Sequence, residues 1–159
     1  MSTSTVAPRS VTLPSARVLI GAVYAICVLG LIAVFVGDIV FTDKDPHRSE
    51  GPIDSMITIG IMGTSALLIV VGLGLWLGRT PERARVGAVV LGALSVLTVI
   101  VFWSGVPGIL GAGAAWLAGL TRGGQPLGGA ARVAGLVGVF IALLNVVISV
   151  GGVLVSGIS

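Results

Sequence analysis

The chain has 159 residues, 55% of them hydrophobic and 9% charged, with a net charge of +3 and a mean hydropathy of +1.14. Soluble domains carry about 25% charged residues, so a surface this poor in charge is not a water-facing one, and lipid is the expected solvent. The length leaves no room for a separate soluble domain, and basic residues scattered at the ends of apolar stretches, without a groove-reading motif, argue against nucleic acid as a partner.

The chain opens on residues 1–17, a Ser-, Thr- and Pro-rich tail with Arg9 and Arg17. It reads as disordered and cytoplasmic. The apolar run behind it, Val18–Gly37, is 20 residues long. A signal-peptide core is about 7–15 residues, so the run predicts a retained first span. Three further uncharged runs follow: Ser55–Gly78 with 24 residues, Val86–Thr121 with 36 and Val133–Ser159 with 27. A bilayer core about 30 Å thick needs roughly 20 apolar residues in a helix, and each run meets that length.

Charges between the runs set the threading. The tail, the link 79–85 with three Arg, and the link 121–132 with Arg122 and Arg132 are basic, whereas 38–54 holds five acids against Lys44 and Arg48. The positive-inside rule places the first three in the cytoplasm and 38–54 outside. The 36-residue run must then cross an even number of times, and Ser104-Gly105-Val106-Pro107-Gly108 marks a tight turn at its middle. The prediction is an all-α, polytopic transmembrane helix bundle over 18–158. It has five spans near 18–40, 54–78, 84–103, 107–121 and 132–156, with the N-terminus cytoplasmic; four spans is the alternative. The fourth is short, either a span with local bilayer thinning or half of a hairpin that dips in and returns.

Small residues let helix backbones approach in lipid, and they recur at helical spacing in each span. The last carries Ala134, Gly138, Ala142, Asn145, Ser149 and Gly152; the fourth Gly111, Ala115 and Gly119; the third Ala88, Gly92 and Ser95. The second carries Gly60, Thr64, Gly74 and Gly78, and the first Gly21, Ala25, Ala33 and Gly37. The expected partners are the bilayer and, through these faces, a second copy or another membrane protein. Trp76, Trp103 and Trp116 fall toward predicted span ends, where indoles favour the interface.

Candidate chemistry is sparse. Asn145 is an amide placed in hydrocarbon, with Ser149 one turn away as a neighbour; it reads as interhelical glue or as part of a polar path. Asp38 reads as a solvated span end or as a proton or cation relay. Asp43, Asp45, His47 and Glu50 cluster oxygen and imidazole ligands, but the spacing fits no established metal motif and Lys44 and Arg48 oppose a cation. The Gly111-Ala112-Gly113 run looks like a nucleotide loop but belongs to a predicted lipid-exposed span, without the strand that motif needs. Cys27, mid-span, reads as a packing residue far from His47. No catalytic arrangement emerges, so neither an enzyme, a metal site nor a cofactor is expected.

Pro107–Leu120, the Gly-rich basic link Arg122–Arg132 and Ala134–Leu144 together give a short Gly/Ala span, a glycine-rich basic turn and an A-G-L-V-G helix start. This pattern resembles the uncharacterised small multi-span membrane proteins common in high-GC Gram-positive bacteria. The resemblance implies a plasma-membrane location and no mechanism. The expected function is structural, an interaction role exercised through helix packing; the alternative is a small transporter, channel or transport-complex subunit.

Overall fold

A computed structural model describes residues 13–41 and 52–156. Five α-helices follow in order: α1 Ala16–Phe41, α2 Pro52–Leu77, α3 Pro81–Leu97, α4 Val106–Leu117 and α5 Ala130–Ser156. A 3-10 segment, Thr98–Ser104, joins α3 to α4. Among the described residues there is no strand; one isolated parallel bridge ties Leu13 to Thr121. The all-helical architecture follows from the composition, because a helix satisfies its backbone polar groups within one segment and needs no water to do so.

Local sequence sets the helix starts. Pro81 opens α3 behind an extended Thr80, and Pro107 lies in the first turn of α4; proline there lacks only an N–H that no carbonyl of the helix would accept. Gly105 stands between the 3-10 segment and α4 at φ +72°, a left-handed conformation that costs other residues about 1–2 kcal/mol.

Three helical stretches are long and apolar enough to cross a membrane: Met56–Leu77, Pro81–Ser104 and Ala130–Gly151. The second includes the 3-10 segment, and there Val101 leaves helical geometry at φ −107°, ψ 41°. The straight part is therefore the 17 residues of α3, about 25 Å at helical rise.

The turn between α3 and α4 does not emerge at an end of the bundle. Gly105 packs against Cys27 of α1, Ser104 against Gly63 of α2, and Gly108 against Asn145 of α5. Those three residues sit close to the midpoints of helices that are 26, 26 and 27 residues long. The turn is thus about 16–23 Å from the Arg-bearing ends of α1, α2 and α5. From there α4 runs back toward the same ends, where Arg122 N–H donates to the Pro14 carbonyl at 3.3 Å. It accompanies the long helices over one half of their length.

Within that half α4 is the centre, touching all four other helices. Every residue from Pro107 to Ala115 is buried. The expectation of a lipid-exposed fourth span is overturned. Its Gly/Ala sequence has too little volume to hold neighbours apart, so four helices close around it. Gly111 and Gly138 bring the α4 and α5 backbones together, and a Cβ on Gly138 would come within 3.1 Å of the Gly111 carbonyl carbon. Val70 and Leu91 fill the space beside Gly113, and Leu77 and Leu117 the space beside Gly87.

The predicted faces of α3 and α5 hold in large part. Ala88, Gly92 and Ser95 are buried, as are Gly138, Ala142 and Asn145. Those of α1 and α2 hold less well. Gly74 is buried as expected, but Gly21, Ala25, Thr64 and Gly78 are exposed, Gly21 and Gly60 have no described neighbour beside them, and α2 also turns Gly63, Ala66 and Val70 inward; the burial of Ala33 and Gly37 lies outside the described residues. Ile20 and Val23 are the buried residues of α1. These helices present larger side chains to a core helix that is itself small, so glycine marks their outer faces as often as their inner ones. Large apolar side chains cover the outside, among them Leu29, Leu68, Ile100, Phe140 and Val147. Water does not tolerate such a continuous apolar exterior, whereas lipid does.

Candidate functional site

The richest polar cluster lies at mid-height, where the α3–α4 turn meets α1 and α5. Asn145 is 3% exposed. Its Nδ2 donates to the Phe102 carbonyl at 2.7 Å, and its Oδ1 faces the Cys27 Sγ at 3.6 Å, a sulfur-length hydrogen bond. The Phe102 carbonyl also accepts the Gly105 N–H at 3.2 Å. Ser104 Oγ donates to the Val101 carbonyl at 2.7 Å and accepts the Val106 N–H at 3.3 Å. The Gly105 carbonyl takes the Ile109 N–H at 3.2 Å. A bent backbone at this depth exposes polar groups that lipid cannot satisfy, and each contact here answers one of them. Among the described residues no buried side-chain polar atom lacks a partner.

The site residues named from the sequence are only partly brought together. Asn145, Gly138 and Ala142 share the buried face of α5. Ser149 is half-buried next to Gly30 of α1, its Cβ 3.8 Å from where a Gly30 Cβ would stand. It takes no part in the Asn145 hydrogen bonds; the amide reaches across to α1 and to the 3-10 segment instead. Asp38 falls within α1, but its side chain lies outside the described residues, as do Asp43, Asp45, His47 and Glu50. Among the described residues no three His, Cys, Asp or Glu gather as metal ligands.

Two contributors escaped the sequence reading. Cys27 holds the far side of the Asn145 amide, and Phe102 acts through its carbonyl, which no residue pattern marks. The signal that does point here is the pairing of a mid-span amide with a Ser-Gly-x-Pro turn, since both need partners in hydrocarbon. Tyr24 and Thr64 form a second polar contact between α1 and α2 at 3.2 Å, one turn from Cys27 on α1.

The Trp residues differ in role. Trp76 and Trp103 are exposed, with Arg83 lying 5.6 Å over the Trp76 ring and Phe102 edge-on to Trp103. Trp116 is half-buried and packs on Gly74, wedging α4 against α2. Three cavities open toward the Arg-bearing end, and none of them is lined by Asn145, Cys27 or Ser104. No protein family matches this chain, and no curated protein or solved structure matches it either.

Proposed function

We propose that the chain is a multi-pass protein of the plasma membrane that works through helix packing, as a scaffold or assembly unit joined to its own copies or to another membrane protein, and not as an enzyme. In this reading the tail and the links 79–85 and 121–132 are cytoplasmic and 38–54 is outside. The helices α1, α2 and α5 cross the bilayer. The α3–α4 pair enters from the cytoplasmic side and returns to it, which is the hairpin form of the predicted short fourth span and keeps the same sidedness.

The observation that carries the functional reading is the engagement of Asn145. Both ends of its amide are held by the fold, at the Phe102 carbonyl and Cys27, so the polar node braces a bend instead of facing a path. The test is Asn145→Leu, which keeps the branching at Cγ and removes the polar atoms. The Phe102 carbonyl retains the Gly105 N–H, so the loss is the Nδ2 hydrogen bond and the longer Cys27 thiol contact, together about 1 kcal/mol. The expected result is a fall of about 3 °C in the unfolding midpoint in detergent, with less protein inserted in cells.

One observation favours a transport role as a second reading: α4 is a half-length helix whose N-terminus ends at mid-height, a device that transporters use to address anions. An Asn145→Leu protein with unchanged midpoint and abundance, but with altered ion leak across proteoliposomes, would replace the packing role with this one.

A further inference from the structure

At the Arg-bearing end two of the cavities adjoin, sharing Ala16 and Trp116 as a common wall. One, of about 510 Å³, is the more polar of the two: Arg79, Arg122, Thr121, Gln125, Gly123 and Gly124 line it beside apolar residues that include Leu117 and Leu127. The other, of about 580 Å³, is an apolar groove between α1 and α2, walled by Ile20, Gly21, Leu67, Val71 and Leu75 and carrying Arg17 at its mouth. Between Leu67 and Leu75 the groove runs about 12 Å along α2. Arg17 thus lines the apolar groove, and Arg79 and Arg122 line the recess that adjoins it. Among the described residues no carboxylate lines either cavity, and Glu82 beside Pro81 is exposed.

We infer that these joined cavities hold one anionic glycerophospholipid of the cytoplasmic leaflet, its phosphate among Arg17, Arg79 and Arg122 and the upper part of one acyl chain in the α1–α2 groove. Charge and shape both favour this occupant. Guanidinium forks suit phosphate oxygens, basic recesses between membrane helices at the cytoplasmic side suit anionic headgroups, and the groove starts where the ester-linked chains leave such a headgroup. Trp116 of α4 lines both compartments, so the site depends on the seated α4. The assignment rests on the membrane reading above.

The test uses the full chain purified in detergent, with phosphatidylglycerol, phosphatidylcholine of the same chains, and glycerol 3-phosphate as probes. Thermal unfolding and lipid adducts in native mass spectra are the readouts. Phosphatidylglycerol is expected to raise the unfolding midpoint and to leave one adduct, and phosphatidylcholine to do neither. R17Q/R122Q is expected to weaken the phosphatidylglycerol effect about 30-fold. Gly21 has open space beside it, so Gly21→Leu should fold, fill the groove and remove the adduct with all three Arg in place. Equal effects of the two lipids, or unaltered binding in both variants, would overturn the site. An equal response to glycerol 3-phosphate would assign the recess to a soluble phosphate and overturn the lipid. Carbonate-washed membranes are assayed in parallel: wild-type protein released by the wash defeats the membrane reading itself, while protein retained without lipid preference defeats only the lipid site.

Discussion

Gly105 concentrates the constraints of the bend. Its φ of +72° disfavours any side chain, and a Cβ there would stand 2.7 Å from the Cβ of Cys27. Gly105→Ala therefore combines a backbone penalty of about 1–2 kcal/mol with a steric one, and the unfolding midpoint in detergent is expected to fall by about 5 °C. Cys27→Gly removes the steric partner but not the backbone penalty. The G105A/C27G pair is thus expected to be more stable than the sum of the single losses requires. Strict additivity in that double-mutant cycle would show that the two residues do not meet. Part of this node was legible beforehand: a mid-span Asn demands partners, and Ser-Gly-x-Pro demands a turn. What could not be read is that each answers the other, because the acceptor is a main-chain carbonyl 43 positions away in sequence.

Legibility differs among the helices for a physical reason. Small residues on α3, α4 and α5 reported burial because these helices approach backbone to backbone, and there volume decides the distance. On α1 and α2 the same residue types were a poorer guide, with Gly74 buried but Gly21, Ala25 and Thr64 exposed, since Ile20, Val23 and Val70 reach the core with full-sized side chains. The contrast is measurable. Gly138→Ala pushes a methyl at the Gly111 backbone, which cannot rotate away, and is expected to cost about 1–3 kcal/mol. Gly60→Ala meets open space and is expected to leave the unfolding midpoint within about 1 °C, the range of a neutral surface change. Equal losses in the two variants would remove the distinction between the faces. Helix existence and type were legible from apolar run length alone. The α4 environment was not, because a run of Gly and Ala suits an enclosed core helix as well as a lipid-facing one, and only the surrounding four helices decide between them.

For the molecule entire, the distribution of arginine predicted which ends gather on one side, and the fold brings residues of three basic segments together: Arg17, Arg79 and Arg122 line adjoining cavities. Sidedness is checked with an impermeant maleimide on intact cells carrying single cysteine substitutions. Gly124→Cys is expected to stay unlabelled until the cells are opened, and Ser159→Cys, at a position outside the described residues, to label from outside. Gly105→Cys is expected to resist labelling from either side, because that position is enclosed; the charge pattern alone would have put it at the outer surface. Labelling of Gly105→Cys in intact cells would make α3 and α4 full crossings and restore the five-span threading.

The enclosure of α4 also fixes an order of assembly. Its walls include α5, made after the other four described helices, and the amide that braces the bend belongs to that same helix. Until translation of α5 is finished, the half-helix has an open flank and the Phe102 carbonyl lacks one of its two donors, so the nascent chain carries an unfinished centre from the end of α4 until α5 is made.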